Sequence, residues 1–489
     1  MDHDIRLADT EELTAVFRTV GQPTVTYVER ESGALERELD GALSENGQLC
    51  LICGPSKTGK STLYREVLRR RGEVALVVRC DRRLTAEYVW LRALEEVDFE
   101  RVESRTRTGS TAGAVEGEVS GKLGWGWLAE ATARFKGSLQ HSNSEADVKK
   151  RVLAAPGSDL LIPILKYSNY RLIVEDFHYL ADDEKIILFE QWKRFTDNEI
   201  SVVVLGTTHR AVDIANSNKD LVGRITQINI GHWSDVDLMK VAVKGFEYLN
   251  IKIDDVCAKN IAHEAVGLPI IVQQTCLSLV TSDGSKFRCD VRGKNSLIDT
   301  GKIGVALNNV ATKRYGQFED SYTTLVKGPR ERARKYKTYE LVLGSFALDP
   351  IKFSLHKSEL LARIAKIQIP DDERPPEPSV KSTLSALTQF QQNRGLELLE
   401  WRPKQQMLHM TEPAFLFYVR WRLPRAPGTS LAELFSKLDF FKVFKDSLRI
   451  KMSPSYREIS DVNVQGEQVN SLEETLSSEY SSITEPKLS

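Results

Sequence analysis

Residues 54–62 constrain the fold of this chain more than any other stretch. They read Gly-Pro-Ser-Lys-Thr-Gly-Lys-Ser-Thr and fit the pattern G-x-x-x-x-G-K-[ST]. The apolar run 49–53 comes just before them and predicts a buried strand, and residues 63–69 after them have helical spacing. A strand, a glycine loop and a helix in this order form a phosphate-binding unit. The sequence therefore predicts an α/β fold that binds a nucleoside triphosphate.

The chemistry of this loop follows from its residue types. Gly54 and Gly59 allow backbone angles that a Cβ would block, so that successive N–H groups can turn toward phosphate oxygens. The helix that begins here adds its unpaired N–H groups and the positive end of its dipole. We expect Lys60 to reach the β- and γ-phosphates and Ser61 to hold Mg²⁺. The predicted phosphate-binding residues are Gly54, Pro55, Ser56, Lys57, Thr58, Gly59, Lys60, Ser61 and Thr62.

Composition adds a few limits. A chain of 489 residues suggests about three domains, and its net charge of −1 argues against polyanion binding over the whole surface. No apolar run approaches the ~18 residues of a membrane span, and the acidic start lacks the apolar region of a signal peptide. A cytoplasmic protein with no membrane partner is expected. Cys50 and Cys53 form a C-x-x-C pair inside the predicted strand and are interpreted as small core residues.

A second strand, at 171–176, ends in the acids Glu175 and Asp176. This is the pattern of a Walker B strand, whose carboxyl end brings acids to the crevice where α/β sheets bind ligands. One carboxylate is needed for Mg²⁺, and the other orients or deprotonates the attacking water. By position Glu175 takes the metal and Asp176 acts as the base, although both are candidate ligands of Mg²⁺.

A further strand, at 201–206, leads into Thr207-Thr208-His209-Arg210. A hydroxyl such as that of Thr208, at the tip of a strand beside Walker B, can hydrogen-bond the water or the γ-phosphate. Arg210 can place positive charge where charge develops in the transition state. The alternative is an ordinary threonine-rich turn.

The order of these motifs resembles the AAA+ and STAND branch of P-loop ATPases, including its NB-ARC-like and origin-recognition-like groups. The resemblance covers roughly residues 24–285. Thr207 to Arg210 is similar to the NB-ARC sensor, and Gly267-Leu268-Pro269 is similar to the STAND lid signature. The resemblance implies ATP and Mg²⁺ as cofactors and Pro269 near the adenine. It also implies an arginine finger at Arg224, for which an ordinary surface arginine is the alternative.

The Walker B pair departs from the usual AAA+ order, which is Asp before Glu. Asp176 is the shorter acid at the second position, and a shorter acid reaches the attacking water less easily. The resemblance therefore implies an ATPase that hydrolyses slowly.

The predicted fold is a P-loop parallel sheet flanked by helices, followed by a helical lid and a C-terminal winged-helix domain. The predicted divisions are an N-terminal segment 1–23, an ATPase core 24–232 with an insertion at about 101–150, a helical lid 233–285, a basic connector 286–335, a winged-helix-like domain 336–424, a helical extension 425–452 and a disordered tail 453–489. The tryptophan-containing insertion could contact a partner or a membrane interface, or be a flexible loop.

The C-terminal domain has two open interpretations. Three helices, two alternating strands at 396–401 and 407–410 and the apolar run 415–419 resemble the winged helix of STAND and origin-recognition ATPases. Its third helix could read DNA, with the basic run 327–335 holding phosphates. Alternatively, the domain could pack on the ATPase core and hold it inactive.

These observations predict a Mg²⁺-dependent ATPase that acts as a conformational switch and associates as a homo-oligomer. The resemblance extends the prediction to prokaryotic signalling or defence, with a separate effector protein as a possible partner. The first alternative is a DNA-binding loader or initiator that uses the winged helix. The second is a nucleotide-binding scaffold with little hydrolysis.

Overall fold

A computed structural model of the chain describes residues 10–97, 157–206, 221, 223–329, 335–367, 369 and 371–423. Five strands in this part form one parallel sheet: β1 (Leu49–Cys53), β2 (Val74–Arg79), β3 (Tyr170–Glu175), β4 (Val202–Gly206) and β5 (Ile225–Asn229). Their order is β2-β3-β4-β1-β5. The register pairs Cys53 with both Gly206 and Asn229, so the carboxyl ends of these strands share one edge of the sheet.

Helices cover both faces of this sheet. On β1, Leu49 and Leu51 pack in one hydrophobic cluster with Trp192, while Ile52 packs in another cluster with Tyr64. Because both faces are buried, the strands read as continuous apolar runs. The predicted P-loop fold, a parallel sheet flanked by helices, is confirmed. The helices are α1 (Ala34–Ser44), α2 (Lys60–Arg71), α3 (Ala86–Glu95), α4 (Ser158–Tyr167) and α5 (Asp182–Asp197).

The helical region after the sheet begins as the sequence predicts. Ser234 caps its first helix, accepting a hydrogen bond from the backbone N–H of Asp237. Gly267 has φ of +71°, and a Cβ there would lie 2.8 Å from the Cβ of His232, so the turn before the third helix requires glycine. The three helices are α6 (Asp235–Tyr248), α7 (Asp255–Glu264) and α8 (Pro269–Val280).

The segment predicted as a basic connector contains two longer helices, α9 (Thr300–Arg314) and α10 (Phe318–Lys327). They pack in the same hydrophobic core as α6–α8, and so does Phe17 of the N-terminal segment, whose ring lies 5.3 Å from that of Phe246. Shorter helical turns lie at Leu13–Val16, Arg30–Gly33, Phe177–Tyr179, Arg288–Val291, Asn295–Leu297 and Asp371–Glu373.

The C-terminal domain contains the three helices and the hairpin that the sequence predicts. A short third strand completes an antiparallel sheet in the order β6-β8-β7. This element order agrees with a winged helix, and DNA recognition by the domain stays a prediction. The elements are α11 (Thr338–Ala347), β6 (Ser354–His356), α12 (Lys357–Lys366), α13 (Glu377–Gln392), β7 (Leu399–Arg402), β8 (Met407–Met410) and α14 (Pro413–Trp421).

A buried ion pair joins α7 to α14. Arg420 Nη2 lies 2.9 Å from Glu264 Oε2, and the indole N–H of Trp421 donates to the same oxygen. Removing one partner of such a pair leaves an uncompensated buried charge and costs about 3–5 kcal/mol. One hydrophobic core also runs through both regions. The predicted boundaries between lid, connector and C-terminal domain therefore stay predictions.

Several predicted features lie outside the described residues. They are the insertion at about 101–150, Thr207 to Arg210, the arginines within 330–334, the extension 425–452 and the tail 453–489. Within the part of the chain that is described, no helix is long and apolar enough to cross a membrane.

Candidate nucleotide-binding site

The phosphate loop leaves β1 at the carboxyl edge of the sheet and leads directly into α2. A Cβ on Gly54 would lie 2.1 Å from the carbonyl oxygen of Ile230, so no other residue fits there without a shift of the backbone. Gly59 caps α2 with φ of +95°, a conformation that glycine adopts at little cost. The two glycines predicted to shape the loop therefore have the backbone environments that require them.

Lys60 lies folded over this loop. Its ammonium donates to the carbonyl oxygens of Gly54 and Pro55 over 2.9 and 2.7 Å. Burial lowers the pKa of Lys60 to about 8, against the opposing influence of the Asp176 carboxylate. A bound polyphosphate would place negative charge beside this buried ammonium. Its oxygens would compete with the carbonyl oxygens of Gly54 and Pro55 for the hydrogen bonds that the ammonium donates.

Glu175 ends β3 and is 6% exposed. Its carboxylate accepts hydrogen bonds from the hydroxyl of Tyr64 over 3.0 Å and from the guanidinium of Arg79 over 3.1 Å. Burial alone would raise the pKa of Glu175, but the nearby Ser61, Tyr64 and Arg79 outweigh it and hold the pKa below its usual value. Glu175 is thus an ionised, fixed carboxylate in contact with the helix that begins at the phosphate loop.

Asp176 has a different environment from its neighbour. It lies just past the end of β3 with φ of +58°, and its side chain is exposed. Partial desolvation and the adjacent Glu175 carboxylate raise the pKa of Asp176 above its usual value, while Lys60 opposes the shift. An exposed carboxylate with a raised pKa can accept a proton from a nearby water.

The oxygens of Ser61, Glu175 and Asp176 fit Mg²⁺ only together with a nucleotide. Among the described residues there is no group of three or more His, Cys, Asp or Glu side chains that could hold a metal alone. Mg²⁺ prefers oxygen ligands, and one or two carboxylates suffice when phosphates and waters complete the shell. Ser61 is one of the groups that lower the pKa of Glu175, so the two predicted ligands lie near each other.

A cavity lies beside the loop, against the segment before α1 and the start of α8. The space within it, counted together with the open solvent at its mouth, is about 510 Å³. Pro269, the residue predicted to lie near the base, is one of its walls. Other lining residues are Thr26, Tyr27, Arg30, Glu36, Trp233 and Gln273.

Trp233 connects this cavity to the loop, and the sequence analysis did not single it out. Its indole N–H donates to the carbonyl oxygen of Thr58 over 2.8 Å, and the guanidinium of Arg30 lies 5.2 Å from its ring. The available signal was a tryptophan directly before the helix cap Ser234. A large aromatic residue in a short polar link between two elements indicates that its ring packs against another part of the chain.

The C-terminal domain also reaches the phosphate loop. Glu412, the residue before α14, places its Oε1 3.7 Å from the ammonium of Lys57. The same ammonium lies 5.4 Å from the ring of Tyr315, just after α9. The phosphate loop therefore contacts three regions of the chain: the link that carries Trp233, the end of α9 and the C-terminal domain.

Other predicted residues lie away from this site or outside the described part. Arg224 directly precedes β5, at the amino ends of the strands and therefore far from the phosphate loop at their carboxyl ends. It donates to Asp197 over 2.6 Å and to Thr196. Its action on a neighbouring subunit stays a prediction. Thr208 and Arg210 are not among the described residues. Cys50 and Cys53 are buried free thiols whose pKa values burial raises to about 12 and 11, which confirms them as core residues.

No protein-family model matches this chain, and no curated protein matches it. Solved structures with similar folds include a Walker-type ATPase of Pyrococcus abyssi, 16% identical over 83% of this chain and 99% of that one, with a TM-score of 0.41. The ORC2 protein of Aeropyrum pernix is 13% identical over 84% and 97%, with a TM-score of 0.41. The RuvB branch migration motor of Thermotoga maritima is 13% identical over 82% and 100%, with a TM-score of 0.36.

Proposed function

We propose that this protein is a Mg²⁺-dependent ATPase that uses ATP binding and slow hydrolysis as a conformational switch. The observation that carries the proposal is the hydrogen bond of 3.0 Å from Tyr64 to Glu175, which joins the helix that begins at the phosphate loop to the acidic strand. A phosphate-binding loop alone serves many reactions. A loop joined to a fixed carboxylate, with a second carboxylate exposed beside it, supports hydrolysis.

Each group then has a role. The loop amides from residues 54–62 and the ammonium of Lys60 bind the phosphates. Ser61 and Glu175, with Asp176, hold Mg²⁺, which when bound neutralises charge on the phosphate oxygens. Asp176 orients the attacking water and takes its proton. Thr208 and Arg210 complete the set as groups that contact the γ-phosphate, on the basis of the sequence alone.

The switch is supported by what surrounds the loop. Pro269 lines the cavity at the start of α8, and Glu412 of the C-terminal domain lies 3.7 Å from Lys57. A bound nucleotide would therefore touch the core, the lid and a charge of the C-terminal domain at once. Homo-oligomer formation, a separate effector and a role in prokaryotic signalling or defence extend this proposal through the resemblance of the motifs.

Hydrolysis is tested by comparing the wild type with Asp176→Asn, which removes the carboxylate and keeps the size of the side chain. We expect turnover to fall roughly a hundredfold or more, the usual contribution of a general base, while ATP binding measured by calorimetry persists. Asp183→Asn, an exposed aspartate on α5, is the matched control. Equal, near-zero turnover in wild type and Asp176→Asn would favour the nucleotide-binding scaffold instead.

A DNA-binding loader is the second candidate. The observation that favours it is the exposure of Lys381, Ser382 and Gln389 on α13, the helix that would read DNA in a winged helix. Residues 327–335 would add phosphate contacts. Only one of these three side chains is basic, so a packing role for the domain remains its rival.

A further inference from the structure

We infer that Tyr64 is a positioning residue, whose hydroxyl fixes the carboxylate of Glu175 for Mg²⁺ and is itself held by Arg65. This inference rests on the proposed function in one respect, since it assumes that Glu175 holds Mg²⁺ beside a bound nucleotide. Tyr64 and Arg65 lie in the second turn of α2, the helix that begins at the phosphate loop, whereas Glu175 ends β3. The contact therefore joins the two elements that carry the predicted metal ligands Ser61 and Glu175.

The chemistry of these three groups fixes the direction of the hydrogen bonds between them. A guanidinium can only donate and an ionised carboxylate can only accept, whereas a phenol hydroxyl does both. Arg65 Nε therefore donates to the Tyr64 oxygen over 3.2 Å, and the Tyr64 hydroxyl donates to Glu175 Oε1 over 3.0 Å. Because Arg65 occupies the phenol oxygen, the hydroxyl proton is left to point toward Glu175. The two bonds form a one-way relay from a cation through a phenol to a carboxylate.

Glu175 has a second donor, which is more accessible to water than Tyr64. Arg79 Nε donates to the other carboxylate oxygen, Oε2, over 3.1 Å, and the side chain of Arg79 is 68% exposed. The side chain of Tyr64 is fully buried, and a hydrogen bond is stronger in a buried, low-dielectric environment than in water. Tyr64 belongs to α2 and Arg79 to β2, so two different elements hold the carboxylate. Of the two bonds, water competes least with the one from Tyr64.

The orientation of Glu175 matters because Mg²⁺ demands near-ideal octahedral geometry. A carboxylate that can rotate is a poorer ligand for such a metal than one that hydrogen bonds hold in place. Each carboxylate oxygen has more than one acceptor site, so the bonds from Tyr64 and Arg79 leave capacity for Mg²⁺ or for its bound water. Loss of an outer partner of a metal ligand typically lowers metal affinity or activity by about 10–100-fold. The same range is expected for loss of the Tyr64 hydroxyl.

The test compares Tyr64→Phe with the wild type in the full chain. Phenylalanine removes only the hydroxyl and keeps the buried ring, from which the guanidinium of Arg65 lies 5.7 Å. ATP binding in EDTA is measured by calorimetry, and Mn²⁺ binding to the complex with ATP is measured by electron paramagnetic resonance. We expect Mn²⁺ affinity to fall by about 10–100-fold, while ATP binding in EDTA is unchanged. Tyr88→Phe, at an exposed tyrosine on α3, is the matched control and should behave as the wild type.

A double-mutant cycle tests whether Arg65 acts through Tyr64. Arg65→Ala alone should weaken Mn²⁺ binding, by less than Tyr64→Phe does, because the hydroxyl remains. In the Tyr64→Phe background, Arg65→Ala should have no further effect, since the group through which it acts is gone. The cycle is measured at high salt, which screens the direct attraction between Glu175 and the half-buried Arg65.

The possible results separate this inference from the proposed function. Equal Mn²⁺ affinity of Tyr64→Phe and the wild type overturns the inference, and additive effects of the two substitutions overturn the relay. If Tyr64→Phe also loses ATP binding in EDTA, the hydroxyl supports the fold rather than the metal site, which overturns the inference as well. Each of these results leaves the proposed function standing. A wild type that binds ATP neither with Mg²⁺ nor in EDTA contradicts the proposed function itself.

Discussion

Glu412 allows a direct test of whether the C-terminal domain influences the phosphate loop. Its Oε1 lies 3.7 Å from the ammonium of Lys57, and the same carboxylate oxygen accepts from the backbone N–H of Ala414 over 3.2 Å. The substitution Glu412→Gln retains an oxygen for that N–H, so the start of α14 keeps its cap. The substitution therefore removes one negative charge beside the loop and little else.

The size of the effect follows from the exposure of the pair. The side chains of Lys57 and Glu412 are 38% and 26% exposed, and ion pairs this accessible to water contribute about 0.2–1 kcal/mol. Nucleotide phosphates would compete with Glu412 for Lys57 and would be repelled by its carboxylate. We therefore expect Glu412→Gln to bind ATP more tightly, by roughly one and a half- to fivefold. Calorimetric titration with ATP and Mg²⁺ at low salt measures the gain.

The salt dependence and a charge-matched control decide whether the reasoning holds. The gain should shrink at high salt, because exposed charges are screened. Glu373→Gln removes the same charge from an exposed turn between α12 and α13 and should leave the affinity unchanged. If Glu412→Gln binds ATP no more tightly than Glu373→Gln at low salt, the contact has no influence on the loop and the reasoning is refuted.

Two other predictions concern the loop and the alternative function. Burial lowers the pKa of Lys60 to about 8. Because only the charged ammonium attracts phosphates, the affinity for ATP should fall as the pH rises above about 8. An affinity that stays constant between pH 7 and 9, as expected for the control Lys60→Met, would contradict this role of Lys60. If the chain is a loader that binds duplex DNA, DNA binding should weaken at higher salt and with the triple substitution Arg330→Ala, Arg332→Ala and Arg334→Ala. In an electrophoretic mobility-shift assay, a DNA shift that the substitutions leave unchanged would argue against a DNA contact at residues 327–335.

The sheet could be predicted from the sequence because its determinants are local. An apolar run that ends in a glycine loop or in two acids defines both a buried strand and the edge at which it stops. The run 415–419 is less informative, since continuous apolar residues fit a buried strand and a buried helix equally well. In the structure it lies in α14, all nine residues of which are buried. The helix α9 had a detectable signal, because Ile303, Leu307 and Val310 recur at helical spacing.

The contacts around the site could not be predicted in the same way. Tyr64 and Arg79 both donate to Glu175, yet they lie 111 and 96 residues from it along the chain. Pairing in the sheet brings Arg79 opposite Glu175, and that register depends on the whole order of strands. Glu412 lies even farther from the loop in sequence. Local sequence patterns identify the phosphate-binding residues. Tertiary packing decides which distant side chains contact the site residues and shift their pKa values.

The reversed order of the acidic pair follows from where β3 ends. Glu175 is the last residue of the strand, so its side chain is buried among donors, and its length lets it accept from Tyr64 and Arg79 together. Asp176 begins a turn with positive φ, which aspartate tolerates better than most residues. The first position thus favours a long acid that remains ionised, and the second favours a short acid that fits the turn. In the proposed mechanism, slow hydrolysis is the consequence of this arrangement, because the shorter side chain at position 176 extends less far toward the water.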